Sequence, residues 1–131
     1  MTKETYIQKG YRVSINIDQA LIDRAERDVY DAYIAPILPS STIDDEEITV
    51  SLMELAYVRM CAIANAVVTK SGTKEKTSAS SVSADYESIA ALHRPVCKMR
   101  IEALRLMPSA IKDAKVNDIL KLYYKTIFFS I

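Results

Sequence analysis

Residues 46–68 read EEITVSLMELAYVRMCAIANAVV, a run without glycine or proline and with few charges after its first two residues. At 1.5 Å per residue, a helix over this run is roughly 35 Å long. On a helical wheel Ser51, Glu54 and Asn65 share a narrow stripe, while Ile48, Leu52, Met53, Leu55, Tyr57, Met60, Ile63 and Val67 cover the rest. A helix that is apolar around most of its circumference is buried on several sides. A chain of 131 residues has little to wrap around it, so neighbouring subunits are expected to complete its cover. Glu54, Arg59 and Asn65 argue against a membrane span. The helix is expected to start within residues 42–45. Asp44, with Glu47 three residues on, has capping-box spacing, and Asp45, Glu46 and Glu47 suit the positive end of the helix dipole. Capping accounts for this acidic cluster without a metal ion.

Working outward, Leu21, Ile22, Ala25, Val29, Ala32 and Tyr33 fall on one face of a preceding amphipathic helix, capped by Asn16 or Asp18 and ended near Pro36. Residues 1–17 are expected to be an extended lead-in, on the alternation of Tyr11, Val13, Ile15 and Ile17. On the C-terminal side, residues 69–84 are rich in Lys, Ser and Thr. They read as a flexible loop or as a protruding hairpin that orders in an assembly, with Lys70, Lys74 and Lys76 as its basic positions. A third long helix opens at Ser83 or Asp85 and runs to Met107. Pro95 either kinks it or starts a new segment. Residues 117–131 form an apolar arm, helix or strand, in which Tyr123, Tyr124, Ile127, Phe128, Phe129 and Ile131 are the expected docking residues. So apolar a terminus must be covered, by its own bundle or by a partner.

The fold class that follows is all-α: one domain, a small bundle of three long helices with a polar loop and a C-terminal helix or arm. Composition agrees, at 50% apolar and 26% charged, with two glycines and four prolines. Chemistry is scarce. Gly10 and Gly72 stand alone, so no phosphate-cradling loop is present. Cys61, Cys97 and the single histidine, His93, lack metal-ligand spacing. Cys97 lies one helical turn from His93, and a core thiol beside an imidazole explains the pair better than catalysis. No enzyme activity, cofactor or metal is expected. Arg59 and Arg100 each fall within an apolar arc. Such a guanidinium needs an internal carboxylate, with Glu54 one candidate, or a place in a subunit interface.

Net charge is zero, but residues 1–68 carry six basic and eleven acidic side chains (net −5) and residues 69–131 carry eleven and six (net +5). The halves complement each other within one bundle, or head to tail between subunits. Bulk charge predicts no attraction to nucleic acid.

The order of these parts carries a resemblance. INID at 15–18 leads into ALIDRAE at 20–26 and YIAPIL at 33–38. LAYVRMCAIANA at 55–66, the polar loop, ADYESI at 84–89 and RLM at 105–107 follow. Over roughly residues 10–107 this pattern resembles the small head–tail connector proteins of tailed bacteriophages, also termed head-completion, portal-adaptor or ring proteins, above all those of crAss-like phages. The resemblance implies a non-enzymatic virion structural protein in a ring-shaped homo-oligomer, commonly twelve-fold. It would dock on the portal protein, touch neighbouring tail or connector proteins and surround the DNA channel used in packaging and ejection. Its place would be the portal–tail junction, after assembly in the host cytoplasm, without sequence-specific nucleic-acid binding. Zero net charge suits a channel that must let DNA pass. The alternatives are a small cytoplasmic helical adaptor or regulatory protein that binds a partner through its apolar tail, and a nucleic-acid-binding helical protein.

Overall fold

A computed structural model describes residues 1–13, 17–39, 45–71, 76–77, 80–83 and 86–111, with backbone alone for 64–71, 76–77, 80–83 and 86–90. The described chain is mostly helical. Its order is α1 (Lys3–Gln8), α2 (Gln19–Val29), a π-helical turn (Tyr30–Ile34), α3 (Glu46–Ser71), β1 (Lys76–Thr77), β2 (Ser80–Ser83) and α4 (Tyr86–Arg105).

The extended reading of residues 1–17 is corrected at its start, because 3–8 are helical. Thr2 caps α1 through its hydroxyl, which accepts from the Thr5 N–H at 3.3 Å. Gly10 ends the turn with φ +93°, a conformation side-chain-bearing residues rarely adopt, and the Tyr11 N–H donates back to the Tyr6 carbonyl at 3.0 Å. Tyr6 is thereby buried and Tyr11 is brought onto the core.

Asp18 is the cap of α2, accepting from the Ala20 N–H at 3.1 Å. Ile22, Ala25 and Val29 form its buried stripe, as the wheel predicts. The stripe then passes into the π turn, where the Ala35 N–H donates to the Tyr30 carbonyl at 2.8 Å, five residues back. That wider turn keeps Ala32, Tyr33 and Ile34 all buried before the chain breaks at Pro36.

The central helix, α3, starts at Glu46, and its cap is Asp45 in place of the expected Asp44. The Asp45 carboxylate accepts from the Glu47 N–H at 2.9 Å and from the Ile48 N–H at 3.4 Å. Its 26 residues span about 39 Å. Both α2 and α4 pack on it. Every side chain from 51 to 61 is buried within the single chain. Over this part of α3 the cover comes from within the chain, since α2, α4 and the N-terminal Tyr6, Tyr11 and Val13 share one core with it; the expectation of cover by neighbouring subunits for Asn65 and Val67 falls on side chains outside the described ones.

Part of the polar stretch 69–84 is regular. Residues 69–71 continue α3, and β1 and β2 pair antiparallel, Lys76 opposite Ser83 and Thr77 opposite Ser80. The hairpin's few residues leave the molecule helical in character. Helix α4 starts at Tyr86 and runs through Pro95 without interruption. Beyond it, the Ile111 N–H donates to the Ile37 carbonyl at 2.8 Å and pins the end of the described chain beside the turn after α2. Among the described residues no helix is long and apolar enough to cross a membrane.

Candidate subunit interface

Two faces of α4 have opposite fates. Cys97, Ile101 and Leu104 are buried against α3, with His93 and Arg100 half-buried at the edges. On the other side Leu92, Val96, Met99 and Leu106 are exposed, at 78%, 40%, 65% and 79%. With the partly buried Ala103 they follow a four–three–four–three spacing, one outer stripe along the helix that ends at Leu106, the first residue past α4. Val96 and Met99 are as apolar as their neighbours Cys97 and Ile101. The structure separates the two pairs, because α4 packs chiefly on one neighbour and a single neighbour covers one face.

The inner face is held by polar groups, which fix how the outer stripe is presented. Glu54, 6% exposed, lies midway along α3. Its Oε2 accepts from the Tyr11 hydroxyl at 2.5 Å, and its Oε1 accepts from His93 Nδ1 at 2.6 Å. A carboxylate has no proton to give, so the imidazole hydrogen sits on Nδ1. The Tyr57 ring packs edge-on to His93 at 4.9 Å between centroids and lies 4.7 Å from the Tyr11 ring, while its hydroxyl donates to the Arg12 carbonyl at 2.6 Å. The Cys97 thiol donates to the Glu54 carbonyl at 3.4 Å. One buried carboxylate thus joins the N-terminal segment, α3 and α4.

Burial is the largest cause of the upward pKa shifts here. It pushes Tyr11 and Tyr57 well above the ordinary phenol value, with the Glu54 carboxylate adding to the shift at Tyr11. It also raises the Cys61 thiol to about 12 and the Cys97 thiol further. Burial therefore favours the protonated thiols, and His93 Nδ1 is engaged by Glu54.

Arg59 and Arg100 pair internally, and neither takes Glu54. Arg59 Nε donates to Asp28 Oδ2 at 3.2 Å, tying α3 to α2. Arg100 Nε donates to Ser51 Oγ at 3.1 Å, and its Nη2 meets the Glu47 carboxylate and carbonyl, tying α4 to the start of α3. Both bind helix to helix within one chain. Of the other expected interface residues, Lys70 lies at the end of α3 and Lys76 in β1, described by backbone only. Lys74, Tyr123, Tyr124, Ile127, Phe128, Phe129 and Ile131 lie outside the described residues.

Sequence reasoning missed both the split of α4 and the meeting of Glu54, Tyr11 and His93. A signal for the first is the strict heptad spacing of Leu92, Val96, Met99, Ala103 and Leu106. No local signal exists for the second, whose members lie 39 and 43 residues apart. Searches against protein-family models, curated proteins and solved structures returned no match.

Proposed function

We propose that this chain is a virion structural protein of a tailed bacteriophage, the subunit of a ring that joins portal to tail around the DNA channel. The observation that carries the oligomeric part of the reading is the outer stripe of α4. Leu92, Met99 and Leu106 present a contiguous apolar surface on a helix whose inner face is already satisfied. Patches of this kind mark contact sites on soluble proteins. The connector part rests on the resemblance in element order over residues 10–107, and the helical architecture is compatible with it. In this reading the three helices α2, α3 and α4 form the body of the subunit.

The test has two parts. Native mass spectrometry of the purified chain is expected to give a closed ring, twelve-fold on the resemblance, and immunogold labelling of phage particles is expected to mark the head–tail junction. A chain absent from purified particles would overturn the connector reading whatever its oligomeric state.

A further inference from the structure

We infer that Nε2 of His93 is a phosphoryl-acceptor site, open to a small donor of the phosphoramidate type. The inference is independent of the ring reading, because it rests on the polar joint between α3 and α4 and not on the outer stripe. Three observations carry it.

The first is orientation. His93 Nδ1 is held by Glu54 Oε1 at 2.6 Å, and the other oxygen of that buried carboxylate is held by the Tyr11 hydroxyl. The Tyr11 and Tyr57 rings, at 5.8 and 4.9 Å between centroids, fix the imidazole further. With its hydrogen on Nδ1, the neutral ring carries its lone pair on Nε2. That nitrogen has no hydrogen-bond partner among the described residues, and it is not one of their buried polar atoms left without a partner. The side chain is 31% exposed, so the lone pair meets solvent. A carboxylate behind an imidazole stabilises the positive charge that the ring gains when its far nitrogen forms a bond.

The second is the state of the neighbours. The Tyr11 hydroxyl is spent on Glu54, the Tyr57 hydroxyl on the Arg12 carbonyl, and the Cys97 thiol on the Glu54 carbonyl. None of them stands ready as a nucleophile with His93 as its base, so the nitrogen itself is the reacting atom. A metal ion would want further donors. Among the described residues no group of three His, Cys, Asp or Glu side chains is placed to hold one.

The third is charge. Burial pushes the Tyr57 phenol up, and the Arg12 guanidinium works against that rise. Burial likewise raises the Cys97 thiol, and Arg94 works against it. Two guanidinium groups therefore stand near the side chains that surround His93. Arg12 is exposed, and its guanidinium has no ion pair among the described residues. Such groups favour a phosphoryl group over an uncharged acyl group.

The step balances without a further reactant. The Nε2 lone pair attacks phosphorus, a new N–P bond forms, the donor's own N–P bond breaks, and its protonated nitrogen leaves as the free amine. The Nδ1 hydrogen stays in place, so the phosphorylated ring is cationic and Glu54 meets that charge.

The test treats the full-length chain with potassium phosphoramidate and follows it by intact mass spectrometry and phosphorus NMR. The expected product carries one phosphoryl group, on His93, lost in acid and kept in alkali, and His93→Gln removes it. Glu54→Gln with unchanged circular dichroism is expected to slow the labelling by about 10–100-fold. Arg12→Ala is expected to slow it by roughly 2–10-fold and, being at the surface, keeps the test valid should Glu54→Gln fail to fold. Diethyl pyrocarbonate, an uncharged acylating reagent, should modify His93 equally fast with and without Arg12. Its reaction at His93 without any phosphoryl gain would leave an exposed nitrogen only and overturn the inference. Labelling at another residue would do the same, as would a phosphoramidate rate unmoved by Glu54→Gln or by Arg12→Ala. Whether the chain forms a ring or enters particles bears on none of these readouts.

Discussion

Of the two oxygens on the Glu54 carboxylate, one is held by a phenol from the N-terminal segment and the other by an imidazole from α4. Hydrogen bonds to a charged acceptor contribute more than neutral ones, and a buried acceptor left unmet costs its desolvation. Tyr11→Phe is expected to destabilise the fold by about 1–2 kcal/mol and Glu54→Gln by about 2–3 kcal/mol, read from urea denaturation midpoints. Because both remove the same contact, the double variant should lose less than the sum, with a coupling on the order of 1 kcal/mol. Strict additivity would mean that the two groups do not act together. Arg59 illustrates what a sequence does convey at this scale. Its place in an apolar arc called for an internal carboxylate or a subunit interface, and it has a carboxylate, though Asp28 sits 31 residues away and no spacing rule selects it.

At the scale of elements, α4 contains a residue that should weaken it. Pro95 has no N–H, so the Ala91 carbonyl lacks its helical donor. Both residues are exposed, and water can meet that carbonyl, which is why the helix continues through the proline. Pro95→Ala is expected to stabilise the chain by about 1–3 kcal/mol and to raise its thermal midpoint. A lowered midpoint would mean that proline geometry is needed to seat His93 on Glu54. The helices themselves were largely legible from spacing and caps: α2 with its buried stripe, α3 with its acidic start, and α4 as one long segment. Helix α1 was not, because six residues show little periodicity. Its signals were Thr2 as cap and Gly10 as stop, while the alternation from Tyr11 to Ile17 after them suggested an extended segment. The faces of α4 were illegible for a different reason. Periodicity tells which residues share a face, and only the number of packed neighbours decides which face stays dry.

Across the described residues, burial raises three phenols and two thiols together: Tyr6, Tyr11, Tyr57, Cys61 and Cys97. A folded-state pKa above the unfolded one means that the folded chain holds its proton more tightly. The stability from these protonated groups is present in full below the unfolded values, about 8.5 for thiols and 10 for phenols, and is lost as pH rises through the folded ones. The urea midpoint should therefore fall steadily from about pH 9 to pH 11, at most by about 1.4 kcal/mol per group for each pH unit beyond its unfolded pKa. A midpoint constant to pH 11 would contradict the burial of these side chains. The core was legible in outline as an apolar α3 flanked by two helices. The cover of residues 51–61 from within the chain was not, because the N-terminal tyrosines that help to close the core were read as part of an extended lead-in.

The chain has one histidine and no tryptophan, and that histidine stands beside Leu92 at the rim of the outer stripe. His93 is wedged against the Tyr11 and Tyr57 rings, whose circulating electrons displace the resonances of imidazole protons at 5.8 and 4.9 Å between centroids. In a proton spectrum it is the sole source of imidazole signals, without labelling or assignment. Anything that lies down along α4 will move those lines, and so will any loosening of the carboxylate beneath them. The protein carries its own reporter, placed where its buried polar joint meets the surface it offers to others.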